Sequence, residues 1–190
     1  HAFIAAAHQV GIPKSEDLNG RLHEGVGFIQ HNIRSGKRQS AYVAYVEPVR
    51  GRTNLEVKTK LQVERVLFEG RRAIGIECIV GGQRRQILAA KEVIVSAGAL
   101  NSPHLLMHSG IGAGSELQAH GLPVLHDLPG VGKNLQDHFY IHSHWRTTPG
   151  SSYNHALRGW RKYLEGARYL ATGGGYLSLG SSQVAAFVKS

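Results

Sequence analysis

The chain has 190 residues, of which 42% are hydrophobic and 18% charged; this composition is typical of a globular protein and excludes a disordered one. No apolar run approaches the length of a membrane span, and the single cysteine excludes an internal disulfide and a multi-cysteine metal site. The formal net charge of +9 raises the alternative of a nucleic-acid-binding domain, but the basic residues are scattered and flank predicted turns. Cys78 lies within an apolar run, which predicts a small core residue.

The N-terminal part predicts short elements joined by polar loops. Residues 3–10 are typical of the end of a helix, which Gly11 and Pro13 would stop. Residues 25–33 carry strand-forming side chains and lead into a turn. Residues 39–46 predict a further short helix that ends near a proline.

The next part predicts an antiparallel meander of strands. Strand-forming residues alternate over residues 55–59 and again over residues 61–65, and the apolar run 66–68 ends at a turn. Residues 73–80 and 84–88 predict two further strands, joined by the hairpin turn Gly81-Gly82.

The stretch that follows predicts a strand, a tight turn and a helix. Val93, Ile94 and Val95 form an apolar run typical of a buried strand, and residues 96–99 then carry very small side chains. Asn101 or Ser102 would cap the helix, with Pro103 in its first turn. Ligands of open α/β sheets lie at the carboxyl ends of such strands, so this turn is a candidate binding site.

The remaining segments predict a mixture of helix and strand. Residues 114–120 are typical of a short helix, and residues 124–125 of an edge strand. Residues 155–171 show largely helical spacing of apolar side chains, which predicts either a membrane-surface helix or, as we favour, a helix covering a core or cavity. Residues 183–188 predict a final strand.

Alternating histidines after residue 137 raise the question of a metal site. His138, His142 and His144 would share one face of a strand, and neutral imidazole binds zinc or copper. No cysteine lies near them in the sequence, so we favour a half-exposed strand face without metal.

Two long motifs resemble a known family. The segments GALNSPHLLMHSGIG, residues 98–112, and GLPVLHDLPGVGKNLQDH, residues 121–138, resemble in order the second signature of the glucose–methanol–choline (GMC) oxidoreductases and the region after it. The resemblance implies an α/β fold with α+β insertions: part of a Rossmann-like FAD-binding domain with an antiparallel meander, then the start of a sheet-based substrate domain. The implied division is residues 1–50 as substrate-domain or linker elements, 51–137 as part of the FAD domain, and 138–190 as the start of the substrate domain.

The resemblance also implies a cofactor and a set of residues that bind it. The cofactor is FAD, and the backbone at the position of Val63 meets the adenine in the family. The residues expected to bind FAD are Gln62, Val63, Ser96, Ala97, Gly98, Ser102, Asn134, Asp137 and His138.

The activity implied by the resemblance is oxidation of the CH–OH group of a small alcohol. A base removes the alcohol proton while hydride passes to the flavin, and the electron acceptor, oxygen or a quinone, stays open. No nucleic acid is expected as a partner. Localisation also stays open between cytoplasm and membrane association. The alternative is a flavin- or nucleotide-binding module without catalysis.

Two features of the family are not found in the sequence. A dinucleotide-binding turn needs G-x-G-x-x-G, and the nearest match, Gly110-Ile111-Gly112, has Ser115 in the last position. None of the twelve histidines matches the motif of the family's catalytic base, so no catalytic residue is assigned. We therefore expect the chain to be the middle of a family member and inactive alone.

Overall fold

The computed structural model describes residues 1–146, 148, 152–180 and 182–189. The chain divides into two compact units, His1–Leu55 with Ser143–Ser190, and Glu56–His142. The α-helices, in chain order, are α1 (Ala2–Gln9), α2 (Gly98–His108), α3 (Gly114–Ala119) and α4 (Arg161–Thr172). The strands, in chain order, are β1 (Gly25–Phe28), β2 (Ile33–Arg34), β3 (Lys37–Arg38), β4 (Gln62–Glu69), β5 (Arg72–Val80), β6 (Gln83–Leu88), β7 (Ile111–Gly112), β8 (His126–Asp127) and β9 (Val184–Phe187).

The first unit is built on the antiparallel pair β1–β9, which confirms the strands predicted near residues 25–33 and 183–188. Val26 of β1 is fully buried, and Leu18 from the preceding loop is 4% exposed. The predicted first helix is confirmed as α1, and the turn after β2 forms the β2–β3 hairpin. The predicted helix near residue 42 is a π-helix, Tyr42–Val46, which continues into a 3₁₀ turn, Glu47–Val49.

Helix α4 contacts its own unit through polar side chains. The Tyr169 hydroxyl donates a hydrogen bond to the Gly36 carbonyl oxygen at 2.8 Å, and a Glu165 carboxylate oxygen accepts from the Tyr176 N–H at 3.2 Å. Along the helix and the residue before it, the large apolar side chains that were expected to cover a core are exposed instead; they are Trp160, Tyr163, Leu164 and Leu170. No helix within the described residues has both the length and the apolar character needed to cross a lipid bilayer.

The second unit contains the predicted meander, β4-β5-β6, in which both pairs are antiparallel. The turn Gly81-Gly82 is confirmed, and both glycines have positive φ, +57° and +78°, as a tight hairpin requires. Val66 of β4 is 5% exposed and Cys78 of β5 is fully buried, so the core position predicted for the cysteine is confirmed.

Helix α2 packs against β4, but it begins earlier than predicted. Neither Asn101 nor Ser102 is its N-terminal cap, because the helix starts at Gly98, where φ is +88°. The Ser102 hydroxyl instead accepts a hydrogen bond from the Ala97 N–H at 3.0 Å, and Pro103 lies inside the helix. The small residues thus place the start of the helix inside the predicted turn.

Several predicted strands are wrong for a shared reason. Residues 93–95 form no strand, and Ile94 is 77% exposed rather than buried. Residues 55–59 and 138–144 are also outside strands, and the edge strand expected at 124–125 forms two residues later as β8, parallel to β7. A strand persists only where a neighbouring strand pairs with it, and residues 55–59 and 93–95 belong to none of the sheets formed by the described residues.

Gly75 is the position in the meander where an added methyl group should do most harm. A Cβ at Gly75 would collide with the Ile87 carbonyl oxygen of β6, so Gly75→Ala should lower the free energy of unfolding by about 1–3 kcal/mol. Gly130→Ala is the control, because a Cβ there meets nothing within 4 Å and the change should stay within about 0.5 kcal/mol. Urea unfolding measures both; equal effects of the two variants would contradict the packing described for β5 and β6.

Candidate cofactor-binding groove

A groove of about 530 Å³ lies between the start of β4 and one side of α2, from Ala97 before the helix to His108 at its end. It brings together three of the residues expected to bind FAD, namely Gln62, Val63 and Ala97. Ligand pockets commonly measure about 300–1,000 Å³, so the groove is large enough to hold a planar heterocycle. Its lining is Leu61, Gln62, Val63, Glu64, Ala97, Asn101, His104, Leu105 and His108.

The β4 wall of the groove is shaped by an irregular register. Gln62 pairs with Ile79 and Val63 with Cys78, but the register then shifts before Arg65 pairs with Glu77. Such a bulge bends the strand and changes where its backbone and side chains point. Gln62 and Val63 are paired with β5 just before this bulge, and both line the groove at the end of the sheet.

The α2 wall begins with a turn that leaves the backbone accessible. A Cβ added to Gly98 would meet nothing within 4 Å, so the space above this residue is open. Its φ of +88° favours glycine, and no side chain caps the helix. Ser96 is exposed nearby, whereas Ser102 uses its hydroxyl to hold the Ala97 N–H. Ser102 therefore fixes the shape of the turn.

Six lining residues were missed as site residues in the sequence analysis, Leu61 and Glu64 at the start of β4 and four residues of α2. Asn101 is three and four residues before His104 and Leu105, and His108 is four and three residues after them, which places the four on one face of α2. The imidazole rings of His104 and His108 meet edge to face with centroids 4.5 Å apart. Helical spacing directly after the small-residue turn was the signal that could have identified this face.

The negative charge of Glu64, which lines the groove, is paired with the positive charge of Arg84. The Glu64 carboxylate accepts a hydrogen bond from Arg84 Nε at 2.8 Å. This hydrogen bond and the negative charge of Glu64 raise the pKa of the Arg84 guanidinium above its ordinary value. Within the part of the chain that the structure describes, no group of three or more histidine, cysteine or acidic residues is arranged to hold a metal ion.

The loop after β8 approaches a different face of α2. A second groove, of about 250 Å³, is lined there by residues that include Pro103, Met107, Gly132 and Leu135. Gly132 lies so close to the helix that an added Cβ would collide with Met107 Cε. Lys133 Nζ forms an ion pair with Glu116 of α3 at 2.5 Å, which also holds the loop.

The structure does not bring the expected residues of this loop into the first groove. Asn134, Asp137 and His138 are exposed, and none of them lines the space next to Gln62 and Val63. Asn134 has a φ of +55°, and an Asp137 carboxylate oxygen accepts from the His138 N–H at 2.7 Å. Of the nine expected residues, the first groove therefore brings together Gln62, Val63 and Ala97, and none of the nine lines the second groove.

Comparison with known proteins finds relatives whose alignments cover most or all of this chain. Mitochondrial choline dehydrogenase from Homo sapiens is 46% identical over 169 residues, which cover 89% of this chain and 28% of that protein. Oxygen-dependent choline dehydrogenase from Pseudomonas putida is 38% identical over 192 aligned residues, covering 100% of this chain and 34% of that protein. The chain therefore spans about a third of the length of the curated relatives it matches.

A solved structure and a family model agree with these relatives. The structure of an FAD-dependent oxidoreductase from Chaetomium thermophilum is similar with a TM-score of 0.80 and 28% identity, covering 96% of this chain and 33% of that one. The family model described as GMC oxidoreductase matches residues 1–140. The resemblance of the two sequence motifs and the mixed α/β fold are thereby confirmed, and the chain belongs to the GMC oxidoreductase family.

Proposed function

We propose that this chain is part of an FAD-dependent oxidoreductase that acts on the CH–OH group of an alcohol, and that it supplies part of the FAD site. One observation carries the proposal: the groove in which the start of β4 meets the small-residue turn before α2. Gln62, Val63 and Ala97, which are distant in the sequence, line the same space there. Because the chain belongs to the GMC oxidoreductase family, we interpret this groove as part of an FAD site.

The residues of the groove fit the adenine end of FAD. Ala97 and Gly98 have almost no side chain, so a planar ring can approach their backbone closely. Val63 and Gln62 offer backbone groups from the opposite wall, and Leu105 supplies apolar contact. The side-chain amides of Gln62 and Asn101 each present donors and an acceptor, which suits the edge of adenine.

The loop that carries Asn134, Asp137 and His138 is proposed to lie against the flavin end. Its approach to α2 at Gly132 and its ion pair with Glu116 hold the loop, while the three side chains remain exposed and accessible to a ligand. FAD, when bound, supplies the hydride acceptor of the reaction. The residues of this chain would bind the cofactor, orient it and form part of the wall over it.

The substrate and the domain organisation of the complete protein are also part of the proposal. The curated relatives are choline dehydrogenases, so choline is the first alcohol to test. The electron acceptor, oxygen or a quinone, is to be determined by experiment. We assign residues 1–50 and 138–190 to the substrate side and 51–137 to the FAD domain; the division of contacts after Leu55 and His142 supports these limits.

The proposal predicts a flavoprotein that an alcohol reduces. The complete protein containing this chain should be purified with the absorption spectrum of bound flavin, and anaerobic addition of choline or another small alcohol should bleach it. Absence of flavin, both as purified and after incubation with FAD, would contradict the proposal. Flavin that binds but is reduced by none of a panel of alcohols would support the alternative of a binding module without catalysis.

Filling the groove should displace the cofactor. Ala97→Leu places three extra carbon atoms against the adenine position, so the FAD bound per protein should fall about tenfold. Ala119→Leu is the matched control, because Ala119 is an exposed helical residue that does not line the groove. Absorbance of the purified variants at the flavin and protein bands measures the ratio. Equal FAD content in both variants would show that the groove does not hold the adenine.

A further inference from the structure

A buried hydroxyl group links the two walls of the groove. Ser109 directly follows α2 and is 9% exposed, and it is the one polar side chain that is buried among the described residues. Its Oγ accepts a hydrogen bond from the Val66 N–H of β4 at 2.8 Å. The same oxygen donates its proton to the Leu105 carbonyl oxygen at 2.6 Å.

Both hydrogen-bond partners of Ser109 belong to the elements that form the groove. Leu105 lines it from α2, and Val66 lies three residues after Val63 on β4, a distance of about 10 Å along the strand. Hydroxyl donation to a carbonyl one turn earlier is common for serine in helices and would not by itself be informative. The bond to Val66 is different, because it joins a helix to a strand 43 residues earlier.

Removing this hydroxyl would leave a backbone N–H without a partner in a buried position. Val66 is 5% exposed, so water would not readily replace the lost acceptor. The Val66 N–H could then find a new acceptor only if β4 shifted relative to α2 or if a water molecule entered between them. Either change alters the separation of Val63 and Leu105, and therefore the width of the groove.

We propose that Ser109 is a positioning residue for the cofactor, which sets the spacing of the two walls that hold the adenine of FAD. This inference rests on the proposed function, since it assigns adenine to the groove. Ser109 itself does not line the groove and acts only through Val66 and Leu105. Its removal should therefore weaken binding of the adenine portion and leave binding of the flavin ring unchanged.

The test compares two flavins that differ in the adenine portion. Apoprotein is prepared from the complete protein, and the dissociation constants of FAD and FMN are measured by quenching of flavin fluorescence. Ser109→Ala should weaken FAD binding about tenfold and change FMN binding less than about twofold. Ser109→Thr, which keeps the hydroxyl, should restore most of the preference for FAD. Ser109→Cys keeps the size with a weaker hydrogen-bonding group and should give an intermediate loss.

A destabilised control separates positioning from a general loss of stability. Leu117→Val removes a methylene from a buried residue of α3 that does not line the groove, so it should lower stability but leave the FAD-to-FMN ratio unchanged. A Ser109→Ala protein with the wild-type ratio would overturn the inference, as would an equal loss for both flavins. A wild-type apoprotein without preference for FAD over FMN would instead contradict the proposed adenine groove itself.

Discussion

The packing of α2 on β4 is the constraint on which the candidate site depends. Because α2 starts at Gly98, Ala97 and the helical residues Asn101 to His108 form one wall of the groove. Gln62 and Val63 form the other wall, and the register of β4 shifts directly after them. Ser109 joins the two elements at their buried contact, so the groove is a consequence of how helix and sheet pack.

The sequence predicted the locally determined elements well. The meander of β4, β5 and β6 follows from alternating apolar residues and from glycines that can adopt positive φ at the turns. The motif of residues 98–112 identified the family correctly. These predictions succeeded because each depends on neighbouring residues: turn chemistry, alternation, or a contiguous motif.

The failures concern features that depend on distant partners. Residues 93–95 have the composition of a buried strand, yet hydrogen bonding and burial require a neighbour that the described residues do not provide. The start of α2 was placed too late because Ser102 resembles a capping residue, whereas its hydroxyl is used by Ala97 inside the turn. Similarly, nothing local indicates that Asn101 and His104 face Val63 across a groove.

The central claim is that the groove between β4 and α2 holds the adenine of FAD. A crystal structure of the complete protein with bound FAD tests it most directly. The account predicts electron density for the adenine between Val63 and Ala97, with the flavin ring near the loop of Asn134, Asp137 and His138. Adenine bound elsewhere, with water or side chains filling the groove between these two residues, would contradict it.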